Sequence, residues 1–204
     1  MHAKILHAAL MVSVMIGSTA TAAVAQPDKP KLREVNITTD SAPGWLPSEE
    51  LEATAMKTAH RFFSLEDSGD DQASYAMLTP NTRAMLPFGE YKETNTQFRR
   101  KAGTFRQRRI LKLTWTKNPA NAPQPGIYAA IDASATFDGV DRQCGYIILF
   151  QSPEGGAFNV MRTENNFIDN ASAKEIARTQ SAAALAQLWA QLSTNCPNFQ
   201  AAGS

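Results

Sequence analysis

Apolar residues recur at helical spacing in the first half of this chain and at alternating spacing through much of the second. Leu51, Ala55, Ala59 and Phe62, joined by Phe63, form the inner stripe of a helix that starts near Ser48 and stops near Ser68 and Gly69. Glu49, Glu50 and Glu52 favour its first turn, where unpaired backbone N–H groups attract negative charge. A second, short helix is predicted over residues 71–78, presenting Ala73, Ala76 and Met77. Thr79 and Pro80 read as a cap and a first-turn proline opening a short helix to Leu86. A fourth helix is predicted over 89–102, with Tyr91, Phe98 and Ala102 inward and Gly103 as its stop.

After Gly103 the period changes to two. Residues 105–117 read as a strand, followed by a Pro/Asn-rich connection over 118–126. Further strands are predicted over 127–137, 142–151 and 157–167, with turns at Asp138-Gly139 and at 153–156. The short connections in this trio favour an antiparallel meander. A final helix is predicted over 172–192, with Ser172 and Glu175 as a capping box and Leu185, Leu188, Trp189 and Leu192 as its stripe. Helices, then strands, then a helix argue for an α+β fold with a curved antiparallel sheet of four strands. The predicted division is 1–25 as a leader, 26–47 as an extended proline-containing lead-in, 48–168 as the α+β domain and 169–204 as a C-terminal helix and tail. Residues 32–39 give a weak edge-strand signal.

The leader has the features of a cleaved export signal. Lys4 supplies a basic start, an apolar run extends from Ile5 to Ile16, and Ala23-Val24-Ala25 forms an A-x-A site before Gln26. Cleavage after Ala25 places the mature chain in the periplasm or outside the cell and leaves about 180 residues, enough for one domain with its own core. No cysteine adjoins the cleavage point and no second long apolar run occurs, so neither a lipid anchor nor a transmembrane helix is predicted. Loss of Lys4 equalises the mature chain at 19 basic and 19 acidic residues, which offers no argument for a nucleic-acid partner. His2 and His7 depart with the leader. His60 remains, on a helix, and reads as a surface or packing histidine rather than a catalytic or zinc-binding one.

Four segments resemble a family of bacterial secreted proteins, domain-of-unknown-function family 4019. They are the run from Phe62 to Asp70 followed by Ser74-Tyr75; Arg99 to Gly103 with Arg108-Arg109; Pro125-Gly126-Ile127-Tyr128 leading to Thr136-Phe137; and Gly155 to Val160. Phe158 stands where the family usually has tryptophan, and the usual Gly-Tyr near the last strand is absent. The resemblance covers roughly residues 50–167. It implies a cone-shaped fold of the cystatin or nuclear-transport-factor-2 type, with helices over a curved sheet, and no activity.

Cys144 and Cys196 lie in no C-x-x-C motif, and in an exported chain they are expected to form a structural disulfide. Arg99, Arg100, Lys101, Arg106, Arg108, Arg109 and Lys112, with Lys117 beyond, form a basic run with no acidic residue between Glu93 and Asp132. This run is the candidate anion-binding surface. The favoured alternative is a solvated sheet face partly balanced by Glu66, Asp67, Asp70 and Asp71, with Arg106, Arg108 and Lys112 pointing one way and Arg109 the other. The acidic turn at 66–71 lacks the ligand spacing of a calcium loop and reads as a helix stop and N-cap. Asp132 is the one acid in an apolar strand. Alternation places it with Tyr128, Ser134 and Thr136, on the face expected to point away from the core. No catalytic residue, metal ligand or cofactor is assigned. The expected function is a non-enzymatic module for a small molecule or an envelope protein; the alternatives are an isomerase- or hydratase-like enzyme using the concave pocket, or a module touching anionic envelope polymers.

Overall fold

The computed structural model describes residues 34–196, which fall in a compact unit beginning at Glu34. The proposed leader, Met1 to Ala25, and the first part of the lead-in lie outside the described residues. The elements in chain order are β1 (Asn36–Ile37), α1 (Glu49–Ser68), α2 (Asp71–Ala76), α3 (Pro80–Met85), α4 (Phe88–Ala102), β2 (Phe105–Lys117), β3 (Ile127–Phe137), β4 (Val140–Ser152), β5 (Gly155–Asp169), α5 (Asn170–Thr179) and α6 (Ala182–Leu192), closed by a 3-10 turn.

The helix ends follow local chemistry. Ser48 caps α1 by accepting from the Leu51 N–H, and Gly69 ends it at φ 80°, a conformation glycine adopts without a Cβ penalty. Asp70 then caps α2 by accepting from Ala73 N–H, so the acidic turn is a helix stop followed by an N-cap. Thr79 caps α3, with Pro80 in its first turn.

The sheet differs from the expected four antiparallel strands. It has five strands in the order β1-β2-β3-β4-β5, and β1 pairs parallel with β2 through Asn36–Thr114 and Ile37–Trp115. The other pairs are antiparallel. Two residues are too few to show a period, which is why β1 left so little mark in the sequence. It is held by packing: Val35 and Ile37 lie against the core, and Trp45 stands edge-on to the buried Trp115 at 6.2 Å.

The predicted C-terminal helix is also two helices. Asp169, not Ser172, caps α5, accepting from Ser172 N–H at 2.8 Å. The helix breaks at Gln180, and Ser181 caps α6 by accepting from Ala184 N–H at 3.0 Å. Serine favours such caps because its side chain competes for backbone N–H groups.

The helices cover both faces of the sheet. On one face, α1 and its neighbours bury Ala55, Ala59, Phe62 and Phe63 against Trp115, Ala129, Ile131, Ile147 and Leu149. On the other, α5 and α6 bury Ala173, Leu185 and Trp189 against Ile168, and the Cys144–Cys196 disulfide joins this cluster. The Leu185/Trp189 stripe is thus used within the chain. Among the described residues no helix is long and apolar enough to cross a membrane.

Candidate functional site

Small residues open a space where the N-terminal helices cross the sheet. Ala133 on β3 faces Gly145 on β4, and Gly145 faces Asn165 on β5. Gly145 is required here for another reason as well, since a Cβ would collide with the backbone carbonyl of Glu164. With no large side chain on these central positions, a cavity of about 470 Å³ remains between α1, α4 and β2–β5. This lies within the usual size range of small-molecule sites.

One wall is aromatic. Phe98 meets Phe137 at 5.2 Å and Phe167 at 4.9 Å, both edge-on, and Phe105 meets Phe137 at 5.7 Å. Beside these rings the lining is ionic. Arg108 reaches inward from β2, 2.6 Å from Asp67, with its guanidinium 4.3 Å from the Phe63 ring centroid. Arg99 on α4 makes a two-pronged contact to Asp71, at 2.8 and 2.7 Å. Both arginines are therefore committed to carboxylates of the acidic turn.

Glu66 is different. It lines the cavity, is partly exposed there, and has Tyr91 as its hydrogen-bond partner at 3.1 Å from Oε1. Among the described residues no buried side-chain polar atom lacks a partner. The second Glu66 oxygen, which makes no hydrogen bond, is thus left open to the cavity. Tyr91 Oη also lies 2.8 Å from Ser74 Oγ, which donates in turn to the Asp71 carbonyl oxygen at 3.3 Å. In that arrangement Tyr91 donates to Ser74 and a protonated Glu66 donates to Tyr91. When Glu66 is ionised, the Tyr91 proton turns to it instead.

Burial pushes the Glu66 carboxyl up to about 7; Tyr91, Arg108 and Arg99 oppose the rise, and Asp67 adds to it. Burial and the Glu66 charge push the Tyr91 hydroxyl upward too. The folded state thus holds a proton on Glu66 that the unfolded chain, near the ordinary 4.5, releases. This contribution to stability is full below that value and is lost as pH rises through about 7. Allowing for the partial exposure of Glu66, the loss is on the order of 2 kcal/mol. Urea unfolding across this range should show the decline in the wild type and a flattened profile in Glu66→Gln; an unchanged slope in the variant would assign it to other groups.

The seven cations of the basic run are not gathered on one surface. Register shifts make Arg106 and Leu111 extra residues in β2, so Arg108 opposes Ala135, while Arg109 and Lys112 oppose Ser134 and Asp132. Arg108 is therefore on the face covered by the N-terminal helices and Lys112 on the other with Arg109, which corrects the grouping expected from strict alternation. Arg106 pairs with Asp138 at 2.5 Å, Arg99 is in the cavity wall, and Arg100 and Lys101 are exposed at the end of α4. Asp132 faces away from the cavity, between Lys112 and Tyr146, but is 7% exposed rather than open to solvent. His60 is exposed on α1.

Sequence reasoning passed over Glu66. Its signal was its position: Ala59, Phe62 or Phe63, and Glu66 continue one helical stripe, so an acid falls where the pattern calls for a buried residue.

Searches of curated proteins and of solved structures find no match. A family model described as "Protein of unknown function (DUF4019)" matches residues 58–162. That span holds Glu66, Asp67, Asp71, Tyr91, Arg99 and Arg108, whereas Cys196, α5 and α6 lie beyond it. With over half of its length matched, this chain belongs to the DUF4019 family.

Proposed function

We propose that the protein is an exported module that binds a small molecule in the cavity between α1, α4 and the sheet. The observation that carries this reading is the cavity's mixed chemistry: aromatic rings and an open carboxyl oxygen, that of Glu66, line the same space. Apolar surroundings give such a site its affinity, and one placed polar group orients the ligand. The disulfide is compatible with an oxidising compartment.

Thr163 is an exposed cavity-lining residue on β5, with no side-chain hydrogen bond among the described residues. Thr163→Trp should close the mouth while sparing the core. Native mass spectrometry of protein purified from an envelope fraction is expected to show a small molecule bound to the wild type and absent from Thr163→Trp. Equal occupancy of both proteins would place the ligand elsewhere, and an empty wild type that also binds none of a panel of aromatic amines, alcohols and acids would refute the reading.

A second reading, proton-transfer chemistry of the isomerase or hydratase kind, is favoured by Glu66 alone. A carboxyl pushed up to about 7 inside a cavity can both take and give a proton near neutral pH. Asp132, on the opposite face, has no access to that cavity.

A further inference from the structure

We infer that the cavity's ligand is a monocation, an aromatic or apolar body carrying one ammonium group, held by the open oxygen of Glu66. This inference rests on the proposed binding role of the cavity and adds the class of ligand. It follows from the charges around the site. Arg108 is matched by Asp67 and Arg99 by Asp71, so these four groups form two neutral pairs. On β5, Glu164 lies 3.5 Å from Arg162, and Lys101 lines the cavity as an exposed residue whose charge is felt by Asp169. On its own helix Glu66 has Asp67 beside it; from α4 it meets Tyr91, which is neutral. Glu66 is the acid in this set left without an ion-pair partner. Ionised, it carries a negative charge inside the cavity that no cation there contacts directly, and a bound ammonium would supply that contact.

The remaining features suit the same ligand. Aromatic rings attract ammonium groups through their faces and accept the apolar body as well. Tyr91 can serve both states of Glu66, because it lies within bonding distance of Glu66 and Ser74 alike. Binding of the cation to a protonated Glu66 therefore displaces that proton to solvent, and the Tyr91 hydroxyl rotates from Ser74 to the carboxylate. An anionic ligand has no such buried site, since both arginines are already engaged and Lys101 stands in solvent near Asp169.

The test is calorimetric titration of the wild type, Glu66→Gln and Thr163→Trp with three probes of one shape: 4-phenylbutylamine, 4-phenylbutanol and 4-phenylbutyrate. Each is measured near pH 6 and pH 8, in buffers of different protonation enthalpy. The amine is expected to bind most tightly, about tenfold more so at the higher pH, as the ionised fraction of Glu66 rises. It should release close to one proton at the lower pH and almost none at the higher. Glu66→Gln should weaken the amine roughly thirtyfold or more and leave the alcohol little changed. Alcohol or carboxylate binding as tight as the amine, blocked by Thr163→Trp, would overturn the monocation and leave the pocket standing. Amine binding that survives both substitutions would overturn it too, by placing the amine outside the cavity. Failure of all three probes would overturn both readings. The proton count is taken on the wild type and does not depend on the folding of any variant.

Discussion

The variant with alanine at both Cys144 and Cys196 is expected to unfold with about 4 kcal/mol less free energy than the oxidised wild type. The bond spans 52 residues of sequence, and cross-linking so long a segment removes many conformations from the unfolded chain. It also fastens the last turn after α6 to β4 on the sheet face opposite the cavity. The cluster there is small: Ile168, Ala173, Leu185 and Trp189 around the two half-cystines, with Ile176 and Leu192 at its edge. With so little apolar area, α5 and α6 are expected to lose amide protection before the rest when the bond is reduced. Urea unfolding gives the global number, and hydrogen exchange gives the order of loss. A change below about 1 kcal/mol would contradict the entropic account.

Arg99→Met is the second large effect, a loss of about 3 kcal/mol. Its partner Asp71 has a side chain only 6% exposed, and the variant leaves that carboxylate with Asn95 at 3.4 Å as its remaining side-chain donor. The cost arises from the stranded charge more than from the lost attraction. Consequently the double variant Arg99→Met/Asp71→Leu should recover much of the stability, as replacement of both partners does for buried pairs. A double variant as unstable as the sum of the single ones would show that the pair stabilises in its own right. Because Arg99 ties α4 to α2, the single variant should also loosen the Tyr91–Ser74 contact beside Glu66.

Much of the fold could be read from the chain because its signals were local. The Ser48 cap, the Gly69 stop, the Thr79-Pro80 start and the alternation through β3 act within a few residues. The parts that escaped depend on distant partners. β1 exists because Thr114 and Trp115 lie beside it, and the Ser181 break restarts a helix whose stripe had read as continuous. In the site, the bulge at Leu111 separates the faces of Arg108 and Lys112, which strict alternation had placed together. The acidic turn was legible as a stop and cap. That Glu66 and Asp67 also line a cavity, with Asp71 anchoring Arg99 beside them, depends on α4 and β2, from 25 to 41 residues away for the contacts involved.

Glu66 stands in the cavity as an acid held partly out of water and without a cation of its own. This placement is tested most directly by following the Glu66 side-chain carboxyl carbon by NMR as pH is raised in the ligand-free protein, with Glu66→Gln fixing the assignment. The predicted midpoint is about 7. A midpoint near the ordinary carboxyl value of 4.5 would mean that Glu66 is fully solvated, and would contradict the account of the site.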